Sequence, residues 1–370
     1  MIKAITMPKW GLSMTEGVVG DWLVAEGAAV ESGTEVVLVE TEKIAGAVEV
    51  AAAGTLRRAV AVTGDTLPVG ALLGVLAGAE EPDTEIDAFV RQFQENFVPA
   101  ETGAEEGGDQ TETIQVGELS INYLRQGSAD RTAVLLHGFG GDLNNWLFNQ
   151  PALIADRTVI APDLPGHGLS TKKVANGSLL CMVHVLENLM EELGVAEADW
   201  VGHSMGGAIA LHLAQSSPQL VRSLTLLASA GLGPEINADY LEGFARSRGR
   251  RELRPLLRQL FADPALVTRQ LVADLLKYKR LDGVQECLEA LVYQLTDTSE
   301  QTEEVRRTIA EIPTLVIWGA DDRIIPASHA RDLPNQDHVH ILANTGHMVQ
   351  MERAADINRL ITAFWNAQIG

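Results

Sequence analysis

The sequence predicts two domains of different class: a small all-β module, shaped as a flattened barrel or sandwich, followed by a larger α/β module with a mostly parallel sheet. Three observations carry this reading. Residues 1–78 contain an internal repeat at an offset of 37, residues 79–111 are rich in carboxylates, and from residue 112 onward short apolar runs alternate with helical patterns. At 370 residues, the chain is long enough for two or three cores, taking about 100–200 residues per domain.

In the first module Gly17, Gly27 and Gly33 recur as Gly54, Gly64 and Gly70, while Val19 matches Leu56, Leu23 matches Val60 and Val30 matches Leu67. Each half reads as short alternating strands punctuated by glycine turns. Neither half can bury its apolar face alone, but two of them facing each other can. Between the halves lies Val39-Glu40-Thr41-Glu42-Lys43-Ile44-Ala45-Gly46. A turn at this pseudo-symmetry point presents one lysine, Lys43, away from the barrel; taken alone, such a lysine is most simply a solvated one.

Between Ala79 and Glu112 there are eleven acidic residues and one basic residue, Arg91, so this stretch supplies −10 of the net charge of −22. It reads as a solvated linker. Inside it, Ile86, Phe89, Val90, Phe93 and Phe97 form one apolar stripe at helical spacing, with Thr84 as a candidate N-cap. The helix either docks on one of this chain's own domains or binds another subunit.

The α/β module, residues 112–370, opens with a hairpin over 113–116 and 119–124. Strands are expected at 133–136, 159–161, 200–202, 224–228, 314–318 and 339–342. Residues 231–308 leave the sheet, and Leu256, Leu257, Leu260 and Phe261, then Leu271, Leu275 and Leu276, mark a helical cap. The third of those strands runs into Gly202-His203-Ser204-Met205-Gly206, with a helix expected after it. A nucleophilic serine on a strained strand-to-helix turn needs glycines two residues to either side, so Ser204 is the candidate nucleophile.

An acyl-transferring serine also needs donors for a developing oxyanion. His137-Gly138-Phe139-Gly140-Gly141 follows the first strand of the parallel set and offers the Phe139 amide; the Met205 amide follows the nucleophile. Their side chains are expected to line the acyl pocket. The base should follow the last strand, which selects His347 among nine histidines; His137 and His203 read as structural turn residues. The acid should follow the preceding strand, where both Asp321 and Asp322 stand.

The net charge of −22 argues against a nucleic-acid partner. No run of about 18 uncharged apolar residues is present, so no membrane span is expected. The N-terminus lacks the apolar core of a secretory signal, and two cysteines without a CxxC predict neither a disulfide framework nor a metal site, which fits a reducing cytoplasm.

MPKWGLSMTEG, the ETEK turn and AAAGTL resemble the lipoyl-domain family over most of residues 1–78. That resemblance implies lipoate in amide linkage on Lys43. A biotinyl domain shares the fold but flanks its lysine with methionines, whereas Lys43 lies between Glu42 and Ile44. The second module resembles the α/β-hydrolase fold, whose W-G-x-x-D-x-x-x-P spacing selects Asp322 over Asp321. The whole chain, through HGFGGDLNNW, GHSMGG and WGADDRIIP, resembles the acyltransferase components of acetoin dehydrogenase complexes.

This resemblance implies acetyl transfer from dihydrolipoamide on Lys43 to coenzyme A by way of Ser204. It also implies a thiamine-diphosphate-dependent acetoin dehydrogenase and a dihydrolipoyl dehydrogenase as partners, with this chain in a homo-oligomer. The chain departs from the acyltransferases of 2-oxo-acid complexes: it has no His-x-x-x-Asp-Gly segment near its C-terminus and no Arg/Gly-rich subunit-binding domain. Two alternatives stay open, a serine hydrolase or thioesterase carrying a lipoyl domain, and a lipoyl carrier with a non-catalytic scaffold. Arg246, Arg248, Arg250, Arg251, Arg254 and Arg258 crowd part of the cap, either as a solvated helix face or as a site for the phosphates of coenzyme A.

Overall fold

The structure, a computed structural model, describes residues 2–8, 16–31, 33–41, 45–50, 53–78, 80–97, 111–173, 178–296, 308–331, 333 and 336–368. Its contacts divide the chain into two units, Met1–Gly108 and Asp109–Gly370.

In the first unit the repeat becomes a pair of sheets. The strands are β1 (Lys3–Thr6), β2 (Glu16–Trp22), β3 (Ala29–Val30), β4 (Glu35–Glu40), β5 (Ala45–Glu49), β6 (Gly54–Ala59), β7 (Thr66–Pro68) and β8 (Leu72–Ala77). They form two four-stranded antiparallel sheets, ordered β1-β8-β6-β3 and β5-β4-β2-β7. A step of 37 residues takes β2 to β6, β3 to β7 and β4 to β8. Each of these six strands therefore has its repeat mate in the opposite sheet.

The repeat-matched residues Val19 and Leu56, and Val36 and Leu73, are all buried in one cluster. The turns obey the same symmetry. Gly27 (φ 86°) donates its N–H to Leu56 O and Gly64 (φ 97°) donates to Val19 O, both at 2.7 Å. Positive φ strains any side-chain-bearing residue, which is why glycine recurs there.

Helix α1 (Asp83–Asn96) packs on this same unit. Ile86 is fully buried with Leu72, Val75 and Ala77, and Phe89, Val90 and Phe93 lie against them. Arg57 and Arg58 bind Asp83 and Asp87 at 2.8 and 3.0 Å. The apolar stripe thus docks on the chain's own first domain. The N-cap is Pro82, with no side-chain cap bond, and Thr84 falls inside the first turn rather than capping it.

The second unit holds β9 (Glu112–Val116), β10 (Leu119–Gln126), β11 (Thr132–Leu136), β12 (Thr158–Pro162), β13 (Ala198–His203), β14 (Val221–Leu227), β15 (Thr314–Gly319) and β16 (Val339–Leu342) in one sheet, ordered β16-β15-β14-β13-β11-β12-β10-β9. Strands β11 to β16 run parallel, with β9 and β10 antiparallel at one edge.

Around them lie α2 (Gln150–Leu153), α3 (Leu179–Glu192), α4 (Met205–Ser216), α5 (Ala238–Arg246), α6 (Arg250–Leu257), α7 (Arg269–Tyr278), α8 (Val284–Thr296), α9 (Val349–Glu352) and α10 (Ala354–Ala367). Helices α5 to α8 come from the predicted cap segment. The chain passes from β11 to β12 on one side and then crosses to β13 on the other, so the order reverses at β11. The crevice outside the carboxyl ends of strands at such a reversal is where α/β sheets place their sites. Among the described residues no helix is long and apolar enough to cross a membrane.

Candidate active site

Ser204 sits between β13 and α4 with φ 52° and ψ −116°, a left-handed conformation held in a residue that is not glycine. A Cβ on Gly202 would lie 2.5 Å from Gly206 O, and one on Gly206 would overlap Leu136 O. The two glycines therefore let β13 turn directly into α4 beneath the end of β11. Ser204 is 7% exposed.

Asp322 follows β15 and its side chain is fully buried. Its Oδ1 accepts from Ile324 N–H at 2.8 Å and Ile325 N–H at 3.0 Å, and its Oδ2 accepts from His347 Nδ1–H at 2.8 Å. The neighbouring Asp321 is exposed, and its N–H donates to Thr345 O. The geometry thus joins His347 to Asp322 and not to Asp321.

His347 follows β16 and is 2% exposed. Besides Asp322, two groups hold it: its N–H donates to Leu260 O at 2.8 Å, and its carbonyl accepts from His203 Nε2–H at 2.9 Å. His203 immediately precedes Ser204, and its ring lies 4.8 Å from that of His347, so this bond ties the serine turn to the histidine loop. Ser204 Oγ is not itself hydrogen-bonded to His347 in this arrangement; such contacts are often long until substrate closes the site.

The loop after β11 is fixed by histidines that stay neutral. His137 Nδ1–H donates to Gly138 O, and its Nε2 accepts from Leu164 N–H at 3.0 Å. His167 Nδ1–H donates to Pro165 O, and its Nε2 accepts from Gly140 N–H at 3.1 Å. Burial pushes His137 down to about 4 and His167 down to about 3, the latter helped by His137 beside it.

With Gly140 and Gly141 N–H already engaged, the Phe139 N–H is left without an acceptor among the described residues, as is the Met205 N–H at the start of α4. These are the two amides the sequence nominates. The Phe139 ring meets the cap residue Phe244 edge-on at 5.6 Å, whereas the Met205 side chain is enclosed in the core.

The structure therefore gathers Ser204, His347, Asp322, Phe139 and Met205 at the carboxyl ends of β11, β13, β15 and β16. Lys43 lies outside the described residues; the strands on either side of it, β4 and β5, pair antiparallel at Glu40 and Ala45. Sequence reasoning missed the parts played by His203, His167 and Leu260. Nothing in their local sequence reveals bonds to residues 144, 27 and 87 positions away, respectively. His329 is buried and meets Trp318 edge-on.

Residues 133–354 match the family model for the alpha/beta hydrolase fold, and residues 3–76 match that for biotin-requiring enzymes, the biotin/lipoyl type. A solved meta-cleavage product hydrolase from Pseudomonas fluorescens superposes with a TM-score of 0.63 at 25% identity, over 70% of this chain and 98% of its own. The dihydrolipoyllysine-residue acetyltransferase component of the acetoin cleaving system of Pseudomonas putida is 50% identical over 98% of both chains, and that of Cupriavidus necator 47% identical over 96% of both. With a serine turn, a bonded His347–Asp322 pair and a biotin/lipoyl-type domain in one chain, this protein belongs to the family of dihydrolipoyllysine-residue acetyltransferase components of acetoin cleaving systems.

Proposed function

We propose that Ser204, His347 and Asp322 perform acetyl transfer to coenzyme A by a covalent serine mechanism, with Lys43 as the carrier lysine. The protein is an acetyltransferase of the acetoin cleaving type, with covalent lipoate as its prosthetic group and coenzyme A as co-substrate. Lipoate on its lysine supplies a dithiol that holds acetyl as a thioester on a long arm.

The chain's own groups act as follows. Ser204 Oγ attacks the carbonyl carbon of the thioester substrate while its proton passes to His347 Nε2. Charge gathering on the carbonyl oxygen is met by the Phe139 and Met205 N–H groups, which have no acceptor to give up among the described residues. The carbon–sulfur bond breaks and His347 returns the proton to the departing thiolate, leaving acetyl on Ser204.

Coenzyme A thiol then gives its proton to His347 and attacks the acetyl-serine. The Ser204 oxygen leaves with the proton from His347, and acetyl-coenzyme A forms. Asp322 holds the imidazole in the tautomer with Nδ1 protonated and stabilises the imidazolium formed in each half.

The observation that carries this reading is the 2.8 Å bond from His347 to the buried Asp322, which leaves His347 Nε2 as the nitrogen available to a substrate. The acetoin-cleaving and dihydrolipoamide-oxidising enzymes are the proposed partners, with a homo-oligomer in the cytoplasm as the working form. Incubating the protein with acetyl-dihydrolipoamide and coenzyme A tests the chemistry. Acetyl-coenzyme A is the expected product, and acetate formed instead would assign a thioesterase.

A further inference from the structure

We propose that the arginine row of cap helix α6, with its neighbours at the end of α5, is the site that binds the phosphates of coenzyme A. This rests on the transferase reading above and gives its co-substrate a place on the chain.

Residues 242–258 carry six arginines against two glutamates, a local charge of +4 in a protein of net charge −22. All six arginines are exposed. Glu242 is engaged by Arg246 at 3.1 Å, and Glu252 accepts from the Arg248 N–H at 3.0 Å. The guanidinium of Arg248 binds the neutral side chain of Gln285. Arg250, Arg251, Arg254 and Arg258 make no ion pair with any described residue.

Their spacing is ordered. Arg250, Arg254 and Arg258 follow one another at intervals of four, so they lie along one face of α6 and its C-cap, with Arg251 beside them. Leu253 and Leu257, on the adjoining face, are fully buried. The row spans about 12 Å, the length of an eight-residue helix. Guanidinium groups at that spacing suit a ligand with several phosphates, each able to take a forked pair of hydrogen bonds.

The row is also tied to the site at both ends. Upstream, the Phe244 ring meets that of Phe139 in the oxyanion loop at 5.6 Å, and Arg246 follows two residues later. Downstream, Leu260 comes two residues after Arg258 and its carbonyl accepts the His347 N–H at 2.8 Å. A ligand whose anionic end rests on α6 thus lies beside the segments that hold Phe139 and His347, while a flexible thiol-bearing arm reaches inward. Coenzyme A has that build, with a phosphorylated adenosine at one end, pantetheine in the middle and the thiol at the other end.

The test pairs kinetics with binding. In the full-length lipoylated protein, Arg254→Ala/Arg258→Ala should lose the preference of kcat/KM for coenzyme A over phosphate-free pantetheine by about 10-fold or more. Arg254→Lys/Arg258→Lys should restore part of it. Titration calorimetry with adenosine 3′,5′-bisphosphate should show binding to the wild type that weakens by a similar factor in the alanine variant and fades as salt rises.

Equal losses with coenzyme A and pantetheine, or undiminished bisphosphate binding in the alanine variant, would overturn the assignment. A raised KM confined to the lipoyl-domain donor would give the row to the acidic carrier instead. Were the wild type to yield only acetate, the transferase reading would fail, while the calorimetry would still decide whether α6 binds the bisphosphate.

Discussion

His203 Nε2–H donates to the carbonyl oxygen of His347 at 2.9 Å, so the residue before the nucleophile grips the backbone of the candidate base. Burial, aided by the nearby His347, holds His203 well below the usual histidine range, and its Nδ1 has no partner among the described residues. It is a fixed neutral donor and a positioning residue for His347. His203→Ala should lower kcat by on the order of 10- to 100-fold with little change in KM, because it frees His347 to drift from its working position. His203→Gln, which keeps a donor, should recover part of the loss. Equal kcat values in the alanine variant and the wild type would show that the bond does not govern the base.

Ser204, His347 and Asp322 should behave as one unit. Ser204→Ala and His347→Ala should each cut the rate of acetyl transfer by about 10⁴-fold or more, and the double variant should be little worse than either. Asp322→Asn should cost somewhat less and Asp321→Asn should be mild, since only Asp322 reaches His347. Near-normal acetyl-coenzyme A formation by Ser204→Ala would leave direct attack of one thiol on the other's thioester as the mechanism.

Lys43 should be the sole lipoylation site. Intact-mass analysis after co-expression with a lipoate ligase should show one adduct, absent from Lys43→Ala and present in Ser204→Ala. An adduct that survives Lys43→Ala would move the attachment elsewhere.

Acid should destabilise the second domain through its neutral histidines. His137, His167 and His203 all bind protons less readily when folded, the first two at about 4 and about 3. In the unfolded chain they titrate near about 6.5. Between those values the unfolded state holds more protons, so stability is fully present above about pH 6.5 and falls as pH drops. Each group steepens the fall by ~1.4 kcal/mol per pH unit. Urea midpoints measured from pH 7.5 to 4.5 should decline, and His137→Gln should flatten the slope. An unchanged slope would mean that His137 takes up its proton without unfolding.

Ile86→Ala should loosen α1 from the first domain, where Ile86 is fully buried against Leu72, Val75 and Ala77. A cost of about 2–4 kcal/mol is expected from the methylenes removed and the cavity left. Calorimetry should show a lowered transition for the first domain, with acetyl transfer from free acetyl-dihydrolipoamide unchanged. No shift in that transition would mean that α1 adds nothing to the fold it packs on.

The sequence by itself determined whatever is written in local pattern. A residue can announce its own backbone: glycine recurring at 27 and 64 marks turns of positive φ, and glycines two places either side of Ser204 mark a turn that no side chain there could permit. Apolar runs of strand length, alternating with helical spacing, placed the eight strands of the second domain within three residues of their observed ends. The order of Ser204, Asp322 and His347 along the chain also followed from pattern, because each lies just after a strand.

Only the tertiary structure decided the contacts between distant segments. Apolar spacing in α1 reports that a face must be covered and not by what, so its docking on β8 came from the packed fold. Asp321 and Asp322 are chemically alike; family spacing pointed to Asp322, but only the folded turn after β15 shows that carboxylate aimed at His347. The Leu260 carbonyl that holds the His347 N–H lies 87 positions before it, and the His203 imidazole that holds the His347 carbonyl lies 144 before it. Hydrogen bonds and salt bridges act over a few ångströms in space, and a single sequence gives only separations along the chain.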